Sequence, residues 1–398
     1  MSTLPTLIAI DASLRDAVTS GEVAGVVVGQ VRDGGASFVA HGHVRRDADA
    51  PMAPDSIVRI HSMSKPITTA ALLTLVDEGS VALDTPVAAF VPAFARTTRV
   101  VTDESGAIVD VVANDAPLTL RHLLTHTAGL VYASPDGTPM ERLAWDALGT
   151  VDEPLEAWSR RLASVPLAYA PGEGFGYGVA TDLVGHVIEV VTGRTLERAL
   201  RERVFEPLGM DDTGFEVPAH ARARVATIHR RSASGLEPVA WDGAYAFETP
   251  TFLSGGGGLF STCADYLRFA AMLAAGGSSG GRRFLREETV VDMRRPHVVG
   301  PSTSDRRVPG LGCAFGLGVR VVTDDAGNEF GPKHAFGWDG LAGTTFVVDA
   351  SGRGATVCMT QILPWPTRIH ALVRSPCILP PWHIERSRSA TSTETSST

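Results

Sequence analysis

The ten residues Ile67-Thr68-Thr69-Ala70-Ala71-Leu72-Leu73-Thr74-Leu75-Val76 restrict the fold more than any other stretch of this chain. Apolar side chains at 67, 70, 71, 72, 73, 75 and 76 are too dense for a helix that keeps one face in water. The pattern predicts a helix buried on nearly every side and stopped at Gly79. Ser62 and Lys65 lie three residues apart at its start, so both side chains leave the same face. A serine hydroxyl is a poor nucleophile until a neighbour takes its proton. A lysine amine does this only if its pKa is lowered, and burial beside the positive end of a helix dipole supplies two causes for lowering it.

Ser-x-x-Lys arises by chance about once or twice in a chain of this length, so the spacing alone says little. Lysine usage says more. Only Lys65 and Lys333 are lysines, which makes 33 of the 35 basic residues arginine. Arginine cannot release its proton at a working pH, whereas lysine can.

With 398 residues, 44% hydrophobic and 20% charged, the chain has material for one large or two interlocked domains. A net charge of −9 without a long basic block speaks against nucleic acid as a partner. No run of 18 apolar residues predicts a membrane span, and Met1 to Pro5 shows no basic, apolar leader. A cytoplasmic protein with no membrane partner is expected. Cys263, Cys313, Cys358 and Cys377 are widely spaced and read as reduced thiols. No metal and no cofactor is expected, because metal-ligand spacing and Gly-rich nucleotide loops are missing.

In chain order, Ile8 to Ser20 suits an amphipathic helix, and the β-rich runs 25–31 and 36–42 flank Asp33-Gly34-Gly35 as a hairpin. Residues 56–60 form a third run leading into the Ser62 helix. From Leu83 to about Val225 the reading is helical and loop-rich. Within it, 118–130 looks like a buried helix closed by Gly129. His122 and His126, four apart without a third ligand nearby, read as satisfied structural histidines. Asp182 to Thr192 forms a helix stopped by Gly193. The run Ser254-Gly255-Gly256-Gly257-Gly258 reads as backbone packed closely beside a cleft. After a helix at 265–275, residues 314–322, 344–349 and 354–361 read as three late strands. Strands at both ends around a helical middle imply a sheet domain, 1–82 with 226–375, and an inserted helical domain, 83–225. The Ser/Thr-rich tail, 376–398, reads as disordered.

Four blocks occur in order: Ser62-Met63-Ser64-Lys65; Leu123-Leu124-Thr125-His126-Thr127-Ala128-Gly129-Leu130; Pro171-Gly172-Glu173 with Tyr177; and Gly337-Trp338-Asp339-Gly340. Together they resemble the serine β-lactamase/penicillin-binding-protein superfamily, and within it the class C-like esterase branch called family VIII carboxylesterases. The resemblance spans about residues 20 to 363. It implies an α/β (α+β) fold, β-lactamase-like, in which helices flank an antiparallel sheet and a mainly helical domain is inserted. It also implies Ser62 as nucleophile, Lys65 as its deprotonating partner and Tyr177 as companion general base and acid, its pKa lowered by the lysine charge. The backbone N–H groups of Ser62 and Leu341 would form the oxyanion hole, with Trp338, Gly340 and Val179 lining the substrate pocket.

Three departures refine this. Val179 stands where β-lactamases carry the asparagine of Tyr-x-Asn. Trp338-Asp339-Gly340 replaces the Lys-Thr-Gly element that meets the β-lactam carboxylate. Residues 367–375 leave room for only about two turns of C-terminal helix. The first two losses resemble the esterase branch and imply a more apolar pocket. The expected activity is hydrolysis of short-chain esters, with a small-molecule ester as the partner, through an acyl-enzyme. Three alternatives stay open: a β-lactamase or D-alanyl peptidase, an acyltransferase on the same scaffold, and a non-catalytic ligand-binding sensor.

Overall fold

The computed structural model of the chain describes residues 6–374, apart from 47–48, 240–246, 248–249, 300–309, 326–327, 350 and 352–353. The 376–398 tail and Cys377 lie outside the described residues. Helix α1 (Leu7–Thr19) leads into strands β1 (Gly25–Arg32) and β2 (Gly35–Gly42), paired antiparallel through Val28↔Val39. Asp33 and Gly34 both take positive φ, 48° and 85°. Such a two-residue turn matches the twist of the strands it joins, and aspartate–glycine supplies it at low cost.

The chain returns to this sheet in six further strands: β3 (Val298–Val299), β4 (Cys313–Phe315), β5 (Arg320–Val322), β6 (Phe336–Asp339), β7 (Thr345–Val348) and β8 (Gly354–Thr360). The eight-stranded order is β3-β4-β5-β6-β7-β8-β1-β2, antiparallel throughout. Side chains alternate across a strand, so β1 needs cover on both faces. Val26 and Val28 pack with Ile10 and Leu14 of α1 and with Ile369 and Val373 of the C-terminal helix Thr367–Arg374. Val27 faces the other way, into the main core with Phe269 of the helix Cys263–Ala274. That C-terminal helix has the two turns expected.

Helix α2 (Ser64–Asp77) is buried from Ser64 to Leu75 without a break, as the apolar density demanded. One apolar cluster joins it to the middle segment and the sheet, through Leu72, Leu123, Val184 and Val357. Helix α3 (Ala180–Thr192) ends on Gly193 in the left-handed conformation, as read.

Three readings of local structure need correction. Residues 314–322 form two strands, because Gly316 and Gly318 fold the chain back so that Phe315 pairs with Arg320. A Cβ at Gly316 would lie 2.2 Å from the Met293 carbonyl oxygen, and Gly318 has φ 70°. The predicted helix at 118–130 stops at Leu124, and His126 turns to φ 54°. Finally, the middle segment contains a β-hairpin, Thr97–Thr102 with Ile108–Asn114, and the Trp338 motif lies on β6; neither strand reading was anticipated. Among the described residues no helix is long and apolar enough to cross a membrane.

Candidate active site

The strand Ile57–Arg59 pairs with Phe260–Thr262, and the Ile60 N–H donates to the Leu259 carbonyl at 3.1 Å. The chain then turns sharply through one 3₁₀ turn, His61–Met63, into α2. His61 takes φ 46°, a conformation that costs a non-glycine residue free energy and persists only where its surroundings impose it. The turn leaves Ser62 half-buried between two buried neighbours. Ser64 is fully buried, and its Oγ accepts the Leu259 N–H at 3.2 Å, so the two nearby serines do different work.

Lys65 is 1% exposed. An ammonium has three N–H donors. They meet the Gly256 carbonyl at 2.7 Å, Tyr132 Oη at 3.0 Å and Ser62 Oγ at 3.4 Å. Nζ also sits 4.7 Å from the centre of the Tyr177 ring, within cation–π range. This corrects the expectation of a lowered lysine pKa. Burial does pull it down, but Tyr132, Tyr177 and Asp182 outweigh burial and hold Lys65 above its ordinary value. Sequence reasoning counted the desolvation and missed the oxygens.

Tyr177 is half-buried, and its Oη accepts the indole N–H of Trp338 at 3.1 Å. Tyr132 stands edge-on to it at 5.7 Å. Tyr132 is 37% exposed overall, but burial around its hydroxyl pushes the phenol up, against the pull of Lys65. Trp338 is 3% exposed and packs edge-on against Phe315, so it offers the cleft little surface and acts on it through Tyr177. Val179 is half-buried at the N-cap of α3. A Cβ at Gly340 would sit 2.3 Å from the Ile60 carbonyl oxygen. Gly340 therefore serves close approach of β6 to the Ser62 turn, and it carries Leu341, 45% exposed, past that turn. Among the described residues neither the Ser62 nor the Leu341 N–H donates to a protein acceptor.

The structure separates the two histidines. His122 closes a capping box with Thr119. His126 is 1% exposed among Phe175, Tyr177 and Phe315, and among the described residues neither ring nitrogen has a hydrogen-bond partner, so it is not the satisfied histidine expected. Burial, aided by Lys65, holds it well below the usual imidazole value and keeps it neutral. Tyr132 and Asp182 escaped the sequence reading as members of this cluster. Tyr132 lies two residues beyond Leu130 but carries no spacing signal, and Asp182 looked like an ordinary acidic residue in a first helical turn.

The model of the family described as Beta-lactamase matches residues 10–373. The chain belongs to the beta-lactamase family. Protein Rv1367c of Mycobacterium tuberculosis is 35% identical over 328 residues, covering 80% of each chain. Esterase EstB of Burkholderia gladioli is 34% identical over 361 residues, covering 85% of this chain and 86% of EstB. Among solved structures, EstCE1, described as a hydrolase with promiscuous acyltransferase activity, superposes with a TM-score of 0.77 at 27% identity, covering 92% of this chain and 97% of EstCE1. This beta-lactamase-family protein thus sits in the esterase branch of the serine β-lactamase/penicillin-binding-protein superfamily and is an enzyme of the serine hydrolase superfamily.

The motif residues keep one another's company in this beta-lactamase-family fold. Asp339, next to Trp338, is buried and pairs with Arg320 at 2.7 Å and with Arg374 of the C-terminal helix. Both arginines hold its carboxyl far below the usual range against the cost of burial. The short last helix is thereby tied to the strand that carries Trp338 and leads to Leu341.

Proposed function

We propose that the protein is a serine carboxylesterase that hydrolyses short-chain esters through an acyl-enzyme on Ser62. The observation that carries this reading is the contact of Ser62 Oγ with a buried Lys65 Nζ at 3.4 Å, enclosed by Tyr132 and Tyr177. Lys65 rests as the ammonium and Tyr132 keeps its proton, so the Tyr177 oxygen takes the proton from Ser62 Oγ as that oxygen attacks the ester carbonyl. The Lys65 ammonium faces the Tyr177 ring, and the Trp338 N–H donates to the oxygen that takes this proton. The backbone N–H groups of Ser62 and Leu341 receive the oxyanion. The intermediate collapses, the C–O bond to the alcohol breaks, and Tyr177 returns the proton to the leaving oxygen. Water then attacks the acyl group, giving its proton to Tyr177, and the acid leaves as Ser62 regains it. Labelling by a fluorophosphonate, with the adduct mapped to Ser62, tests the reading, and an unlabelled Ser62 refutes it.

Replacing Trp338 by phenylalanine removes the donor to Tyr177 and keeps a ring in the core. A hydrogen bond of this kind contributes about 0.5–1.5 kcal/mol, so kcat should fall about 2- to 10-fold with KM little changed. Steady-state kinetics on p-nitrophenyl butyrate checks this; a change confined to KM would return Trp338 to substrate contact.

Preference for esters over β-lactams follows from what positions 338 and 179 lack. A β-lactam carboxylate loses water on entry and needs a partner. Trp338 supplies no cation and Val179 no amide, while the donors of Lys65 are already engaged. The missing charge-assisted hydrogen bond is worth about 1.5–3 kcal/mol. p-Nitrophenyl butyrate should therefore exceed nitrocefin in kcat/KM by about one to two orders of magnitude. Nitrocefin turnover equal to the ester's would favour a β-lactamase instead.

The likeness to EstCE1 favours a second reading, acyl transfer from the same acyl-enzyme to an alcohol. Product analysis with an added alcohol separates the two, since hydrolysis yields the acid and transfer yields a new ester.

A further inference from the structure

Behind the lysine lies a carboxylate that the catalytic steps above do not use. Asp182, in the first turn of α3, is 5% exposed. Its Oδ1 accepts the Ser254 hydroxyl at 2.6 Å and the Gly256 N–H at 2.9 Å. The same Gly256 presents its carbonyl to Lys65 Nζ at 2.7 Å. The turn is held from the other side as well, because Thr68 of α2 donates to the Gly255 carbonyl at 2.8 Å. A Cβ at Gly256 would fall 3.0 Å from Asp182 Oδ2, so the glycine is what lets the carboxylate come this close.

We propose that Asp182 is the positioning residue of the Ser62–Lys65 pair, fixing Gly256 as a clamp on the lysine and adding a buried carboxylate beside it. The proposal rests on the reading of Ser62 and Lys65 as reacting partners. Tyr132 and Tyr177 also raise Lys65 through their oxygens, but neither brings a carboxylate. Tyr132 keeps its proton, raised by burial. His126 is neutral, and His61 is lowered to about 4 by burial, by Arg59 and by Lys65 itself. Burial raises the Asp182 carboxyl, against Lys65 and its two donors. Its charge is therefore lost earlier on acidification than an exposed aspartate's, and with it the hold on Lys65.

The scarcity of lysine makes the test direct. In protein carrying ¹³C-labelled lysine only two side chains report, and Lys333→Arg identifies the exposed one. In Asp182→Asn, whose amide oxygen still accepts from Ser254 and Gly256, the Lys65 titration should move to lower pH by about one unit or more. The acid limb of kcat/KM should move the same way, because removing a nearby negative charge eases loss of the proton. The wild type offers a second readout that needs no variant: a low-pH inflection in the Lys65 signal as Asp182 takes up its proton. A Lys65 signal without that inflection, or a Lys65 midpoint unchanged in Asp182→Asn, overturns the proposal. These titrations need no turnover, so they decide on Asp182 separately from fluorophosphonate labelling, whose failure would reject the esterase reading.

Discussion

Ser62→Ala leaves less than a hundredth of the wild-type rate of ester hydrolysis in a protein that melts where the wild type does. Both halves of this expectation come from the turn at His61–Met63. Ser62 is half-buried and its Oγ touches Lys65 at the long distance of 3.4 Å, so its removal takes little from the fold. The lysine keeps the Gly256 carbonyl and Tyr132 as acceptors. Without the hydroxyl no acyl-enzyme forms, and only the oxyanion donors and binding remain to assist water. Ser64, two residues on, is the internal control. It is fully buried and holds the Leu259 N–H, so Ser64→Ala should cost about 0.5–1.5 kcal/mol of stability while retaining activity. Thermal melts and initial rates on p-nitrophenyl butyrate for both variants decide the matter. Residual hydrolysis above a hundredth in Ser62→Ala, or an inactive but stable Ser64→Ala, would move the nucleophile away from Ser62.

What could be read in the sequence was local. The buried helix was legible because seven apolar side chains in ten leave it no wet face, and the pairing of Ser62 with Lys65 because three residues make nearly one helical turn. The Asp33-Gly34 turn and the Gly193 stop were legible for the same reason: each is a conformation that few residues adopt cheaply. What escaped depends on closure of the fold. Tyr132 lies 67 residues from Lys65 and Gly256 lies 191 away, and no spacing rule connects them. The charge state of Lys65 was misjudged because burial shows in a sequence pattern, whereas the oxygens that outweigh it arrive from two other segments, at Tyr132 and at Tyr177 to Asp182. The helix predicted at 118–130 failed for a related reason. Apolar continuity persists there, but His126 leaves the helical conformation to pack against Phe175, Tyr177 and Phe315.

The two tyrosines beside Lys65 should answer differently to loss of their hydroxyls, and that difference locates the proton transfer. Tyr177→Phe keeps the ring under the ammonium and against His126, and removes only the oxygen that accepts from Trp338. If that oxygen carries the proton from Ser62 to the leaving alcohol, kcat falls about 10²- to 10⁴-fold with KM little changed, the usual reach of general acid–base catalysis. Tyr132→Phe instead removes one of three acceptors around Lys65 Nζ. The ammonium stays bound to the Gly256 carbonyl at 2.7 Å, so it is loosened and not displaced. The loss should be that of one charge-assisted hydrogen bond, about 1.5–3 kcal/mol, or about 10- to 150-fold, part of it in stability and not in rate. Acylation rates measured by single turnover, with melts run alongside, separate these contributions. Were Tyr132→Phe the more damaging in the acylation step, the proton would pass through Tyr132. Tyr177 would then be a packed aromatic that Trp338 holds in place.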